Sequence, residues 1–226
     1  MTVNNKPCCN ANYQKASRTS IQYLVIHYTG NLGDTAAGNA GYFARETGLG
    51  ASAHYFVDEN EIWQSVPDGC IAWHCGCKTG YFHPTCRNKN SIGIEICMLD
   101  KNGGVRQESI DRAAELARYL MKRYGIPIDR VVRHYDVTHK NCPAPMVQTS
   151  ALWLAFKQSL EGDTLTYEQF KTFITRYEKE RQELPVHDWA ADAWAAMTAA
   201  GITDGTTPQS PLTREQYAVM RQREKA

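Results

Sequence analysis

Apolar positions along the first two thirds of the chain fall into short runs broken by turn residues, with one longer stretch at helical spacing. Ile21-Gln22-Tyr23-Leu24-Val25-Ile26-His27 is β-branched and almost wholly apolar, the pattern of a buried central strand that ends in a histidine. His54-Tyr55-Phe56-Val57 and Glu61-Ile62-Trp63-Gln64, joined by Asp58-Glu59-Asn60, predict a hairpin. Ile92-Gly93-Ile94-Glu95-Ile96 predicts another strand, in which Glu95 points to the face opposite its two isoleucine neighbours. Ile110, Ala113, Ala114, Ala117, Leu120, Met121 and Tyr124 recur at helical spacing, and Gly125 followed by Pro127 marks the stop. Val131-Val132 then opens a short strand leading into His134. Strands alternating with a helix predict an α/β domain over residues 1–160.

Beyond Leu160 the pattern changes, with Glu161-Gly162-Asp163 as the expected hinge. Leu165-Thr166-Tyr167-Glu168-Gln169-Phe170 is echoed 47 residues later by Leu212-Thr213-Arg214-Glu215-Gln216-Tyr217, and both copies carry Thr-x-x-Gln, a helix-capping signature. Between them an alanine-rich helix is expected at residues 189–197, ended by Gly201 and followed by the loop Ile202-Thr203-Asp204-Gly205-Thr206. Residues 161–226 therefore read as a small α-helical module.

Composition removes several function classes. With 226 residues, 42% of them hydrophobic, and a net charge of +1, the chain has the means to bury a core and is no disordered segment. It has no polybasic run to draw a nucleic acid and no apolar stretch near the ~18 residues that span a bilayer. The near-zero charge divides into 17 basic and 13 acidic residues up to position 160 and 8 basic and 11 acidic beyond it, two ordinary solvated surfaces. The opening residues, MTVNNKPCCN, lack the charged start and apolar centre of a secretory signal, so synthesis in the cytoplasm is expected. In that setting the eight cysteines read as reduced thiols or metal ligands rather than as a disulfide framework. Cys70, Cys75, Cys77 and Cys86 do not have the spacing of a common zinc module, and free thiols are the reading preferred for them.

Three residues at or just after strand ends can carry chemistry: His27, His134 and Cys142. A hydrolytic zinc site needs three protein ligands and a fourth position left for water, and two neutral imidazoles with a thiolate meet that need. The run His134-Tyr135-Asp136-Val137-Thr138-His139-Lys140-Asn141-Cys142-Pro143 supplies two of them with a cation two residues before the thiol, a spacing unlike the helical His-Glu-x-x-His pattern. The chemical rival is a Cys–His hydrolase with Cys142 as nucleophile and His134 as base, which leaves His27 without a role. His54, leading a strand, reads as structural, and His139 beside Lys140 as solvated.

Leu24-Val25-Ile26-His27-Tyr28-Thr29, Ser52-Ala53-His54-Tyr55-Phe56-Val57, Ala72-Trp73-His74, Ser91-Ile92-Gly93-Ile94-Glu95, Arg133-His134-Tyr135-Asp136 and Lys140-Asn141-Cys142-Pro143 occur in an order that resembles the zinc-dependent N-acetylmuramoyl-L-alanine amidases, or type 2 amidases. The resemblance covers about residues 20–156 and implies a central mixed β-sheet flanked by helices. It also implies one Zn2+ held by His27, His134 and Cys142, with Glu95 as the catalytic acidic residue and Lys140 as the catalytic lysine. Peptidoglycan is the implied substrate, contacted by His74, Trp73 and Tyr28. Some branches of the family place an acid/base tyrosine before the residue matching His54; Ala53 stands there in this chain, which leaves that role to Glu95. Branches that only recognise peptidoglycan lack the thiolate ligand, so Cys142 points to an enzyme.

The tail resembles S-layer homology repeats, which implies a secondary cell-wall polymer as a further partner. Its first copy departs from the second in carrying Tyr167 where the second has Arg214. The alternative is a helical module that packs on the catalytic domain or pairs two chains into a homodimer. Taken together, the resemblances imply a phage or prophage endolysin, made in the cytoplasm and acting at the wall after release. An autolysin or sporulation amidase, a cytosolic muropeptide recycler and a binding-only recognition module are the competing readings.

Overall fold

The buried runs of the sequence become the parallel centre of a six-stranded sheet. The computed structural model describes residues 1–16, 18, 20–76, 80–161 and 167–225. Its strands are β1 (Asn4–Asn5), β2 (Tyr13–Gln14), β3 (Tyr23–Tyr28), β4 (Tyr55–Val57), β5 (Ile62–Gln64), β6 (Ile71–Ala72), β7 (Ser91–Ile96) and β8 (Val131–Arg133). The helices are α1 (Ala36–Arg45), α2 (Gln107–Tyr124), α3 (His134–Thr138), α4 (Ala144–Gln148), α5 (Ser150–Ser159), α6 (Tyr167–Gln182), α7 (Ala191–Ala199) and α8 (Arg214–Arg223). Contacts divide the chain into two compact units, Met1–Asp163 and Thr164–Ala226.

The main sheet runs β1-β5-β4-β7-β3-β8. Strands β4, β7, β3 and β8 are parallel, and β5 closes back on β4 as the antiparallel arm of the expected hairpin, so the sheet is mixed. Alternation along β3 and β7 sends Leu24, Ile26, Ile92, Ile94 and Ile96 to one face. There they meet Ile110, Ala113, Ala117 and Leu120 of α2 and Phe156 of α5. Each of these isoleucines and leucines is essentially fully buried, which stabilises the fold by roughly 1.5–3 kcal/mol per side chain. Helix α2 stops at Gly125, whose φ of 63° places it in the left-handed region, as its sequence signal implies.

The opposite face carries Tyr23 and Val25, packed with Val132, Val137, Cys75 and Cys86, and a neighbouring cluster of Ala36, Ala40, Phe56 and Cys97 beneath α1. The hairpin turn and the start of α1 are tied together by one buried carboxylate: Asp58 accepts backbone N–H bonds from Ala36, Asn60 and Glu61 at 2.7–2.8 Å. The next positions along this face are His27 on β3 and Glu95 on β7.

In the second unit, α7 and the left-handed Gly201 after it fall where the alanine-rich stretch places them. The second copy of the repeat is capped as its sequence implies. Thr213 Oγ1 accepts the Gln216 N–H at 3.2 Å, while Gln216 Oε1 accepts the Thr213 N–H at 2.9 Å. The hinge residues Gly162 and Asp163, the first-copy cap at Leu165 and Thr166, and Cys77 lie outside the described residues.

Candidate active site

Three parallel strands end at one edge of the sheet and bring the chemical groups with them. His27 near the end of β3 and Glu95 near the end of β7 are paired positions of the parallel ladder. His134 is the first residue of α3, directly after β8. That junction is pinned: Asp136 accepts the Arg133 N–H at 2.8 Å and forms an ion pair with the Arg133 guanidinium at 2.8 Å. Helix α3 ends at His139, which has a φ of 60°, and the chain folds back so that Tyr135 N–H donates to the Cys142 carbonyl at 2.8 Å. Cys142 Sγ thereby comes within 3.8 Å of His27 Nδ1. The donor atoms of His27, His134 and Cys142 all lie within 4.8 Å of one another, and all three residues are buried.

The electrostatics suit a cation. Burial, reinforced by His134, His74 and Lys140, holds His27 well below the usual histidine range. Burial, with Lys140 and His74 adding to it, lowers His134 to about 4. Both rings are therefore neutral and can offer lone pairs. Burial and the nearby Glu95 push the Cys142 thiol up to about 12, so a positive charge must arrive before this sulfur becomes a thiolate ligand. Both ring nitrogens of His134 and Glu95 Oε2 are buried without a hydrogen-bond partner. Orphaned buried polar atoms cost about 1–3 kcal/mol each, and His134 is one of the three residues whose donor atoms lie within 4.8 Å of one another, which marks a place built for a ligand. Two nitrogens and a sulfur with room for a fourth donor fit zinc.

Glu95 Oε1 lies 3.9 Å from His27 Nδ1. Burial raises its carboxyl to about 8, against the pull of Lys140 and with help from Asp34, although 21% of the side chain stays accessible from the groove. A carboxyl in this range can both accept and return a proton near neutral pH.

The groove above these groups has a cavity of about 620 Å³. Tyr28, Trp73, His74, Glu95 and Lys140 line it together with His27, His134 and Cys142, so the residues expected as metal ligands, catalytic groups and substrate contacts share one groove. His74 is the most buried of the expected substrate contacts, and its two ring nitrogens face His27 Nε2 at 3.0 Å and Ser91 Oγ at 3.1 Å. His54 is fully buried; its Nδ1 accepts the Gly93 N–H at 3.0 Å. His139 is exposed and stacks on Phe82 at 3.5 Å. Cys75 and Cys86 share one buried cluster and Cys70 packs on another, beside Cys8. Among the described residues, Cys70, Cys75 and Cys86 form no shared metal site, and Cys77 lies outside those residues.

Sequence reasoning missed Asn39, Tyr42 and Phe43, which α1 presents to the groove. The signal for that helix was Thr35, whose side chain caps it by accepting the Gly38 N–H at 3.1 Å; the small, weakly patterned residues that follow hide the rest.

Residues 17–145 match the N-acetylmuramoyl-L-alanine amidase family. The chain belongs to that family. Among its relatives, the N-acetylmuramoyl-L-alanine amidase CwlL of Bacillus licheniformis is 36% identical over 150 residues, 63% of this chain and 41% of CwlL. The structure of PlyL superposes with a TM-score of 0.62 at 28% identity, covering 73% of this chain and all of that one. A mutant endolysin from Bacillus subtilis gives a TM-score of 0.60 at 29% identity, covering 71% of this chain and 99% of its own. The chain spans about two fifths to one half of the length of the curated relatives it matches. The family region includes His27, Glu95, His134, Lys140 and Cys142, so the candidate site lies wholly within the amidase fold.

Proposed function

We propose that the chain hydrolyses the amide between N-acetylmuramic acid and L-alanine in peptidoglycan, with one zinc ion held by His27, His134 and Cys142. The observation that carries this reading is the convergence of two neutral imidazoles and a thiol beside an elevated carboxyl at the floor of an open groove. Zinc in that position supplies Lewis acidity toward water and toward the scissile carbonyl. Glu95 takes a proton from the attacking water and returns it to the departing L-alanine nitrogen. Lys140 at the groove wall lends positive charge to the oxygen that becomes anionic when the carbonyl carbon is attacked. Trp73 and Tyr28 offer flat apolar faces on which a sugar ring or peptide can rest.

The helical second unit acts, in this reading, as a wall-targeting module. Support comes from its repeat and from a cavity of about 530 Å³ in which Trp194 is accompanied by Asp204, Thr206, Glu215 and Arg223, a mixture of one aromatic face and polar groups suited to a glycan. The likeness to an endolysin supports accumulation in the cytoplasm and action at the wall after release. Mass analysis of digested, purified peptidoglycan tests the bond: new free L-alanine amines on intact stem peptides are expected, and new reducing sugar ends in their place overturn the reading.

A further inference from the structure

We propose that His74, held by Ser91, is a positioning residue that fixes the tautomer of His27 and so aims the lone pair of His27 Nδ1 at the metal position. The inference rests on the zinc reading above and assigns a task to a residue that neither touches the scissile bond nor binds the ion.

The proton count along the buried chain decides the direction of every bond. The Arg87 carbonyl can only accept, so the Ser91 hydroxyl proton is committed to it at 2.7 Å. Ser91 Oγ must then accept from His74, whose Nε2 is 3.1 Å away. With the ring's single N–H given to Ser91, His74 Nδ1 is left as a lone pair. His27 Nε2 lies 3.0 Å from that lone pair and donates to it. His27 Nδ1 is consequently unprotonated, and it is the atom that faces Cys142 Sγ at 3.8 Å and Glu95 Oε1 at 3.9 Å. The opposite tautomer would point an N–H at the ligand pocket and set two lone pairs against each other across 3.0 Å. Metal-binding histidines usually take this support from a carboxylate or a carbonyl; here an imidazole relays it from a carbonyl through a hydroxyl.

The surroundings are shaped to hold His74 in place. Its backbone N–H and that of Cys75 donate to Asn88 Oδ1 at 3.2 and 2.8 Å. Its ring meets His27 edge to face, with centroids 5.2 Å apart. On the third side lies Gly93, where an added Cβ would come 2.5 Å from His74 Cγ and 2.8 Å from Nδ1. The site-facing positions of β7 thus divide one task. Ser91 accepts from the relay, Gly93 leaves space for the ring, and Glu95 serves the groove.

Two measurements test this on the full chain. In the metal-free wild type, long-range proton–nitrogen correlation spectra should show His27 and His74 both protonated at Nε2; a dominant Nδ1–H form of His27 overturns the proposal. Zinc affinity, measured by competition with a chromophoric chelator, should fall about 10–100-fold in His74→Leu. It should stay within a few-fold of wild type in His74→Asn, whose Oδ1 can stand where Nδ1 stood. Wild-type affinity in His74→Leu also overturns the proposal. A wild-type chain that binds no zinc would instead sink the metal reading, with the tautomer spectra still deciding the relay.

Discussion

His27 and Glu95 face each other across the parallel ladder of β3 and β7, and Glu95 Oε1 stands 3.9 Å from His27 Nδ1. Backbone hydrogen bonds, rather than flexible loops, therefore set the spacing between a metal ligand and the acid/base group. Adjacent strands lie about 4.8 Å apart, and a slip of one residue would put Ile94 or Ile96 where Glu95 belongs. The core face guards the register, because the same slip would expose isoleucines that are now fully buried.

The first prediction concerns the cost of that carboxyl. Its range is raised from 4.5 to about 8, so the fold favours the protonated form. Its contribution to stability is present below about pH 4.5 and is lost as the pH rises through about 8. Glu95→Gln should therefore melt higher than wild type at pH 9 in the metal-free state, by on the order of a few kcal/mol, with the gap closing toward pH 4. Turnover should fall about 10²–10⁴-fold while zinc is retained. Thermal melts across pH in chelator, beside zinc titrations and wall-hydrolysis rates, check all three; a melting gap that does not widen with pH contradicts the burial argument.

The second prediction separates metal from thiol chemistry. His134 is lowered from 6.5 to about 4, so its neutral form is favoured; that stabilisation is present above about pH 6.5 and lost as the pH falls through about 4. Zinc binding should weaken over the same acid range, as protons compete for the ring. Exhaustive chelation should abolish hydrolysis and stoichiometric zinc should restore it, while Cys142→Ala should lose both zinc and activity. Activity that survives chelation and dies on thiol alkylation would identify Cys142 as a nucleophile instead.

Much of this site was legible in the sequence because its residues sit at the ends of strongly patterned strands. The apolar run before His27 and the isoleucines around Glu95 fix both the elements and the faces. The role of His74 was not legible: its partners Ser91 and Arg87 become neighbours only when the loop before β7 packs under β3, and spacing along the chain carries no trace of that. Helix α1 escaped for a different reason. Ala36-Ala37-Gly38-Asn39-Ala40-Gly41 has little apolar contrast, and its helical state depends on capping by Thr35 and on the Asp58 carboxylate brought from the hairpin turn.

The third prediction uses two glycines as a matched pair. Gly93→Ala places a methyl 2.5 Å from His74 Cγ inside a closed cluster, whereas Gly69→Ala meets nothing within 4 Å. Overpacking of this kind costs about 1–3 kcal/mol, so Gly93→Ala should lower the melting temperature by several degrees and Gly69→Ala should leave it nearly unchanged. Equal melts would mean that the space facing Gly93 is softer than the structure implies.

The fourth prediction concerns the second unit. The main core cluster is made of residues from Leu24 to Leu160, so a chain ending at residue 161 keeps that core intact. It should hydrolyse soluble muropeptides at the full-length rate. If the second unit recognises a wall polymer, the truncated form should sediment less with purified walls, and its hydrolysis of intact walls should fall more than its hydrolysis of soluble substrate. A milder variant guards against indirect effects. Thr213→Ala removes the cap of α8 at a cost of about 1 kcal/mol, and it should reduce wall sedimentation without altering soluble turnover. Equal sedimentation of the full and shortened chains would remove the targeting role and leave pairing of two chains, read by the concentration dependence of their mass in solution, as the function of the module.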